Sequence, residues 1–451
     1  MADKPNIREA ALDTLLDMET GGKLSHIAIG EGLMRLQFVP RQDRAFFTLL
    51  CEGTTEQRIY LDYALNLFSK TRMEKCRPLI RVLLRLSAYQ ILFTNVRDAA
   101  ACNEAVILAK KRGFRNHSGF VNGVLRNLSR KKEEIRLPDK EKDPEYYLQV
   151  KYSMPSWIVK KLIKDYGYKD TERILHSFLE ARPVTIRVNG SKTSPGQLAV
   201  ELKSSDIEVR QAPWFDDALY ISGFSNLERI PAFRRGEFNV QDISSMLPVA
   251  VADLEPGHVV VDVCAAPGGK TFHAADIAGP QGQVIARDLS ESKTDYLTEN
   301  KDRMGFEQVK IEEWDARVFD ERLSGTADLV IADLPCSGLG IMGRKNDIKY
   351  HMTEEQTKEL IKLQRQILSV VWRYVKPGGQ LIYSTCTMNR AENQDNVLWI
   401  KENTPLIPVS MEEKLPMDLK NRTGEEGWLQ VVPGLDLGDG FFVSKFRRRS
   451  S

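Results

Sequence analysis

Close-spaced cysteine pairs are missing from this chain. Its six cysteines, Cys51, Cys76, Cys102, Cys264, Cys336 and Cys386, are scattered over 451 residues, and none forms a C-x-x-C pair. That density argues against a disulfide framework, and the lack of paired ligands argues against a structural zinc site, so no metal is expected. No run comes near the roughly 20 apolar residues that cross a bilayer. The opening "MADKPNIREAALDTLL" has neither the basic start nor the apolar core of a secretion signal. A cytoplasmic protein without a membrane partner is therefore expected. A large excess of one charge is absent too: the net charge is +2, so the molecule as a whole is no polycation. Internal repeats and low-complexity tracts are not evident.

What is present is an ordinary globular composition, 42% apolar and 28% charged, in a chain long enough for two or three domains. The charge is unevenly spread. Eight basic residues and no acidic one fall between Lys110 and Lys132: Lys110, Lys111, Arg112, Arg115, Arg126, Arg130, Lys131 and Lys132. A second cluster is Arg72, Lys75, Arg77, Arg81 and Arg85, and the tail "KFRRRSS" is a third. Each reads either as a phosphate-binding surface or as a solvated face.

The first region, 1–135, has helical periodicity throughout. "IREAALDTLLDMETG" stops at Gly21 and Gly22, and "DRAFFTLLCEGTTEQRIYLDYALNLFSK", "RPLIRVLLRLSAYQILF", "AAACNEAVILAKKRG" and "HSGFVNGVLRNLSRKK" follow. An all-α bundle is expected. A charged linker, "KKEEIRLPDKEKDPEYY", leads to a region at 145–236 with a β-α-β order, "VTIRVNG", "SPGQLAVELKSSD", "IEVRQAP", expected to be a small α+β, RRM-like domain. From 237 to 446 strands and helices alternate, which predicts an α/β Rossmann-like domain with a parallel sheet. Thr353 and Gln356 form a capping-box pattern at the start of a long helix, expected to end at Pro377-Gly378-Gly379.

"DVCAAPGGKT", from Asp262 to Thr271, lies where a strand turns into a helix. Small residues there let the backbone approach a ligand. A P-loop would place its first glycine at 264, where Cys264 stands, and the glycines do not match a dinucleotide fingerprint. An adenosyl cofactor without a diphosphate is the third reading. Asp288 ends the next strand, 26 residues after Asp262, and Asp315 ends the one after. Carboxylates at successive strand ends suit ribose hydroxyls and an adenine edge.

Two resemblances sharpen these readings. "LRLSAYQILF", "NEAVILAKKRG" and "FVNGVLRNL" resemble the NusB family of RNA-binding helical domains, which implies that the 110–132 cluster meets phosphates. "DVCAAPGGKT", "ARDLS", "WDA", "ADLPCSG" and "YSTCT", with "TIRVNG" and "NVQDISSMLP" upstream, resemble the S-adenosylmethionine-dependent RNA cytosine-C5 methyltransferases over about residues 145–446. The combination is most similar to the Sun/RsmB type, bacterial enzymes of small-subunit (16S) ribosomal RNA. The resemblance implies S-adenosyl-L-methionine as cofactor, held by Cys264, Ala265, Ala266, Pro267, Gly268, Gly269, Lys270, Asp288, Asp315 and Asp333. It implies Cys386 as nucleophile, assisted by Cys336 and Asp333. Leu334 and Trp314 depart from the commoner alanine and glycine without removing a reacting group.

The chemistry accounts for two cysteines. C5 of cytosine is a poor nucleophile, and adding a thiolate to C6 pushes electron density onto C5. Asp333 is placed to polarise N3 and the 4-amino group, and Lys270 to help electrostatically. Cys336 then assists release of the product. The rival assignment makes Cys336, in Pro335-Cys336, the nucleophile, as in DNA cytosine-C5 methyltransferases. Arg344 and Lys345 in "GIMGRKNDIKY" are candidate RNA-backbone contacts. A monomer acting on 16S rRNA, free or in early assembly particles, is expected. The alternatives left open are transfer or large-subunit RNA as substrate, an inactive RNA-binding assembly factor, and a P-loop hydrolase.

Overall fold

Apolar spacing decides the first seven helices: Ile7–Gly21, Ser25–Arg35, Arg41–Glu56, Arg58–Phe68, Pro78–Phe93, Asp98–Lys111 and Ser118–Lys131. The computed structural model describes residues 5–224, 226–422 and 426–450. Met1–Lys4 of the opening segment and Ser451 of the basic tail lie outside the described residues. The chain forms two compact units: the chain up to Leu179 together with Arg344–His351, and Glu180–Gly343 together with the chain from Met352 onward.

In the first unit, the Asn6 side chain caps the N–H groups of Arg8 and Glu9, and Gly22 ends that helix in the left-handed region at φ 65°. Leu12, Phe47, Leu50, Leu61, Leu83 and Leu125 fill the core. Helices Pro144–Lys151 and Ser156–Ser177 belong to this unit, so its boundary falls beyond the charged linker. So does the short segment after the Cys336 motif. Asp347 Oδ2 accepts the Ser25 N–H at 2.7 Å, and Lys349 Nζ donates to the Glu56 carbonyl at 2.9 Å. Arg344 and Lys345 are exposed on that segment.

Burial corrects part of the charge reading. Arg85 is only 5% exposed and binds Asp62 and Glu19, and Arg81 also binds Glu19, so two of the five residues of the second basic cluster form internal ion pairs. In the 110–132 cluster, Lys111 and Arg112 pair with Glu9, Lys131 with Glu134 and Lys132 with Asp98. Lys110, Arg115, Arg126 and Arg130 are exposed.

In the second unit, β1 (Val184–Val188), β2 (Glu208–Gln211), β3 (Ala218–Ser222) and β4 (Phe238–Val240) form an antiparallel sheet in the order β2-β3-β1-β4. Helix Pro195–Ser204, opened by a Ser194–Gln197 capping box, connects β1 to β2. Strands β3 and β4 are additions to the β-α-β reading.

The larger sheet holds β5 (Val259–Asp262), β6 (Gln283–Asp288), β7 (Val309–Glu313), β8 (Ala327–Asp333), β9 (Val375–Thr385), β10 (Leu406–Pro408), β11 (Trp428–Val431) and β12 (Phe441–Arg448). Its order is β10-β12-β9-β8-β5-β6-β7, with β11 on β12. β5 to β9 are parallel, as expected, whereas β12 joins β9 antiparallel and makes the sheet mixed. The basic tail is therefore largely strand. Lys445 is 4% exposed and pairs with Asp253, as does Arg447, while Arg448 donates to the Val375 carbonyl.

The long helix, Glu354–Val371, starts at the expected Thr353–Gln356 capping box. It does not end at Pro377-Gly378-Gly379. A 3-10 turn at Trp372–Tyr374 ends it, and the Pro-Gly-Gly segment lies inside β9. The β8–β9 register shifts between Ala327 and Leu329, a bulge that accommodates a proline without an N–H and Gly378 at φ 78°.

Candidate active site

β5 sits between β6 and β8, so chain order reverses direction across the sheet at β5. Open α/β sheets bind ligands at such a switch point, beyond the carboxyl ends of the strands. Asp262, Asp288, Asp333 and Thr385 all end parallel strands on that rim.

The turn from Cys264 to Lys270 follows Asp262. Gly268 has φ 104°, and a Cβ there would collide with the Phe272 ring. A left-handed conformation with no room for a side chain requires glycine. Ala265 N–H donates to the Arg287 carbonyl at 2.8 Å, and Gly268 N–H to the Ala265 carbonyl at 2.7 Å, which ties the turn to β6. Asp288 Oδ2 accepts the Ala266 N–H at 3.0 Å, and its Oδ1 accepts from Leu289 N–H and Lys293 Nζ, both at 2.8 Å. Asp262 is almost fully buried. Thr271 donates to its Oδ2 at 2.7 Å, while Oδ1 has no hydrogen-bond partner. Burial above all, with the nearby Asp333 charge, pushes the Asp262 carboxyl up to about 7. Burial and the charges of Asp288, Asp262 and Asp333 push the Cys264 thiol far above its usual range, which suits a packing residue rather than a nucleophile. Asp315 is held by Arg317 in its own loop, and that hydrogen bond lowers its carboxyl below the usual range.

Two predicted residues from distant positions meet directly. Lys270 Nζ donates to Asp333 Oδ2 at 2.7 Å and to Ser245 Oγ at 3.0 Å, and stands 5.1 Å over the Phe441 ring. Ser384 Oγ donates to Asp333 Oδ1 at 2.7 Å. Asp333 and Ser384 are register partners on β8 and β9, and the following residues bring the cysteines together. Cys336 Sγ and Cys386 Sγ lie 3.3 Å apart as free thiols. The hydrogen bond to Cys386 and burial push the Cys336 thiol well above its usual range. Cys51, Cys76 and Cys102 are buried in the helical core.

One layer escaped the sequence reading. Ser337 and Thr387, each following a cysteine, share a hydrogen bond of 2.8 Å. Thr385 Oγ1 donates to Asn393 Oδ1 at 2.6 Å, and Asn393 Nδ2 donates to the Thr387 carbonyl at 3.0 Å. Asn389, Glu392, Asn393 and Asn396 are all buried. The density of carboxamides in "MNRAENQDN" was the available signal. Among the described residues, no group of three or more His, Cys, Asp or Glu side chains is placed to hold a metal ion, and no helix is long and apolar enough to cross a membrane.

Comparison with known proteins agrees with this architecture. The family model "16S rRNA methyltransferase RsmB/F" matches residues 249–447, the NusB family matches 5–130, and the ferredoxin-like domain of RsmF/B-like methyltransferases matches 154–228. A probable ribosomal RNA small subunit methyltransferase B of Bacillus subtilis (strain 168) is 34% identical over 450 residues, covering 99% of each chain. A protein of the same description from Synechocystis sp. (strain ATCC 27184 / PCC 6803 / Kazusa) is 30% identical over 98% of this chain and 99% of its own. The crystal structure of PH0851 superposes with a TM-score of 0.83 at 25% identity, covering 99% of both chains.

Proposed function

This chain belongs to the RsmB/F family of 16S rRNA methyltransferases, and from that premise we propose that it methylates C5 of a cytosine in 16S rRNA through a covalent adduct on Cys386. The cofactor of the family is S-adenosylmethionine, which when bound supplies an electrophilic methyl group on its sulfonium. The residues present suit it. Asp288 and Asp333, at the ends of β6 and β8, flank the turn of small residues that begins at Cys264, Asp288 holding the Ala266 N–H and Asp333 holding Lys270. Cys264 to Lys270, Asp288, Asp315 and Asp333 would hold it.

The observation that carries the reading is the 3.3 Å thiol pair on the rim where Lys270 and Asp333 meet. Cys386 Sγ adds to C6 of the base, the C5–C6 π bond breaks, and its electron pair makes C5 nucleophilic. Asp333 bears on N3 and the 4-amino group, oriented by Lys270 and Ser384. After C5 has gained the methyl group, a base takes the C5 proton, the C5–H electron pair re-forms the double bond and the S–C6 pair leaves with the Cys386 thiolate, a release that Cys336 assists. Reaching C5 requires an unstacked base, which favours a loop or a weakly paired site. The exposed Lys110, Arg115, Arg126 and Arg130 are the proposed phosphate contacts of the helical part.

Methyl transfer to RNA with adduct capture tests this reading. Wild-type protein should turn over, Cys386→Ala should form neither product nor adduct, and Cys336→Ala should accumulate a protein–RNA adduct. Adduct formed by Cys386→Ala would move the nucleophile to Cys336.

A further inference from the structure

Glu392 has no exposed surface and closes the 3-10 turn Arg390–Glu392 soon after β9. Its Oε2 accepts the Ser337 N–H at 2.9 Å and Gln364 Nε2 at 3.0 Å. Its Oε1 accepts Asn389 Nδ2 at 2.8 Å and the Ser337 hydroxyl. Backbone N–H and carboxamide nitrogens can only donate, so this is the partner set of a carboxylate anion, and no basic side chain is among those partners. A buried carboxylate with no cation beside it is a poor way to stabilise a core, since an apolar side chain of similar volume would carry no desolvation cost. The charge therefore points to a role in the chemistry.

Both cysteine loops converge on this group. Ser337 follows Cys336, and its hydroxyl meets that of Thr387, which follows Cys386. Gln364 Nε2 also donates to the Pro335 carbonyl at 2.9 Å, one residue before Cys336. On the other side, the Tyr383 hydroxyl and Asn396 Nδ2 donate to the Glu392 carbonyl. The charge of Glu392 is one cause that raises the Cys336 thiol, after the hydrogen bond to Cys386, burial and the charge of Cys386.

We propose that Glu392 is a positioning residue for methyl transfer: its carboxylate locks the two cysteine loops in one register, so that Cys336 stays beside the reacting Cys386. The proposal rests on the reading of Cys386 as nucleophile. With Cys336 Sγ 3.3 Å from Cys386 Sγ, a shift of either loop would part the thiol that assists release from the thiol that must leave C6.

The test uses full-length Glu392→Gln and Glu392→Asp proteins. The pH dependence of iodoacetamide alkylation at Cys336 is read peptide by peptide by mass spectrometry, with calorimetry of S-adenosylmethionine binding as the check on folding. Glu392→Gln removes one of the charges that raise the Cys336 thiol, so it should move the Cys336 midpoint down, and by loosening the loops it should lower kcat for RNA methylation by about tenfold or more, with KM for RNA within about twofold. Glu392→Asp, which keeps the charge but withdraws it, should hold the midpoint near wild type and still lower kcat. Wild-type kcat in folded Glu392→Gln overturns the proposal. If Glu392→Gln does not fold, wild-type kcat in Glu392→Asp overturns the clamp, and a lowered kcat with an unmoved midpoint supports it. The alkylation midpoint needs no RNA, so it separates this proposal from the reading of C5 methylation.

Discussion

Lys270 Nζ donates to Asp333 Oδ2 at 2.7 Å, fastening the helix that follows β5 to the carboxyl end of β8. The same carboxylate takes Ser384 Oγ from β9, so one side chain organises three strand ends. Asp333→Asn should lower the methyl-transfer rate by about 10²–10⁴-fold, the range for loss of a positioned proton-handling group. Stopped-quench assays with saturating cofactor check this, and an unchanged rate would remove Asp333 from the reaction.

The two thiols should behave differently although they touch. With 3.3 Å between the sulfurs, and the hydrogen bond to Cys386 and burial raising Cys336, Cys336→Ala should slow release while leaving attack intact. Denaturing gels of reactions with labelled RNA should show a retained band for Cys336→Ala and none for the Cys336→Ala, Cys386→Ala double variant. A band in the double variant would place the nucleophile elsewhere.

Asp262 predicts a pH effect on stability. Its carboxyl is raised in the folded protein from an ordinary 3.8 to about 7. The folded state then holds the proton more tightly than the unfolded chain, so the associated stability is complete below the unfolded value and lost as pH rises through about 7. Asp262→Asn has no such proton to lose. Thermal melts across this window should show wild type losing stability relative to the variant as pH rises, and a constant difference would contradict the assignment.

Arg85 is a structural cation. Held between Asp62 and Glu19 at 5% exposure, it leaves Asp62 without its ion-pair partner when removed, while Arg81 still holds Glu19. Arg85→Ala should destabilise the helical unit by about 1.5–3 kcal/mol, the range for hydrogen bonds to charged groups, measured by urea denaturation. A loss below about 1 kcal/mol would give the pair the weight of a surface ion pair.

Exposed cations of the helix Ser118–Lys131 should act differently. Replacing Arg126 and Arg130 together by alanine should leave the melting temperature nearly unchanged. It should also reduce the slope of log Kd for RNA against log salt by about 0.7–0.9 for each phosphate no longer neutralised. Filter binding at several salt concentrations gives the slope, and an unchanged slope would take this face out of the RNA surface.

Much of this organisation was legible in the sequence because it depends on local pattern. Period 3.6 marked the helical bundle, Gly268 marked the turn, and strand-ending motifs brought Cys336, Cys386, Lys270 and Asp333 to one rim. The errors came where pairing partners decide the outcome. Pro377-Gly378-Gly379 has the local chemistry of a helix stop, yet it is absorbed as a bulge in β9 because β8 shifts register opposite it. "KFRRRSS" reads as a basic tail, but β9 and Asp253 draw it into the sheet. Arg81 and Arg85 read as surface charge because Glu19 and Asp62 approach them only in three dimensions. Glu392 resembles any helix-start acid until its four donors, from Ser337, Gln364 and Asn389, are seen around it.

The most direct test of C5 methylation by Cys386 is bisulfite sequencing of total RNA from a strain lacking this protein, after incubation with S-adenosylmethionine and either wild-type or Cys386→Ala protein. Wild type should give one new 5-methylcytosine in 16S rRNA, and Cys386→Ala none. A site in another RNA would contradict the substrate, and the same 16S site formed by Cys386→Ala would contradict the nucleophile.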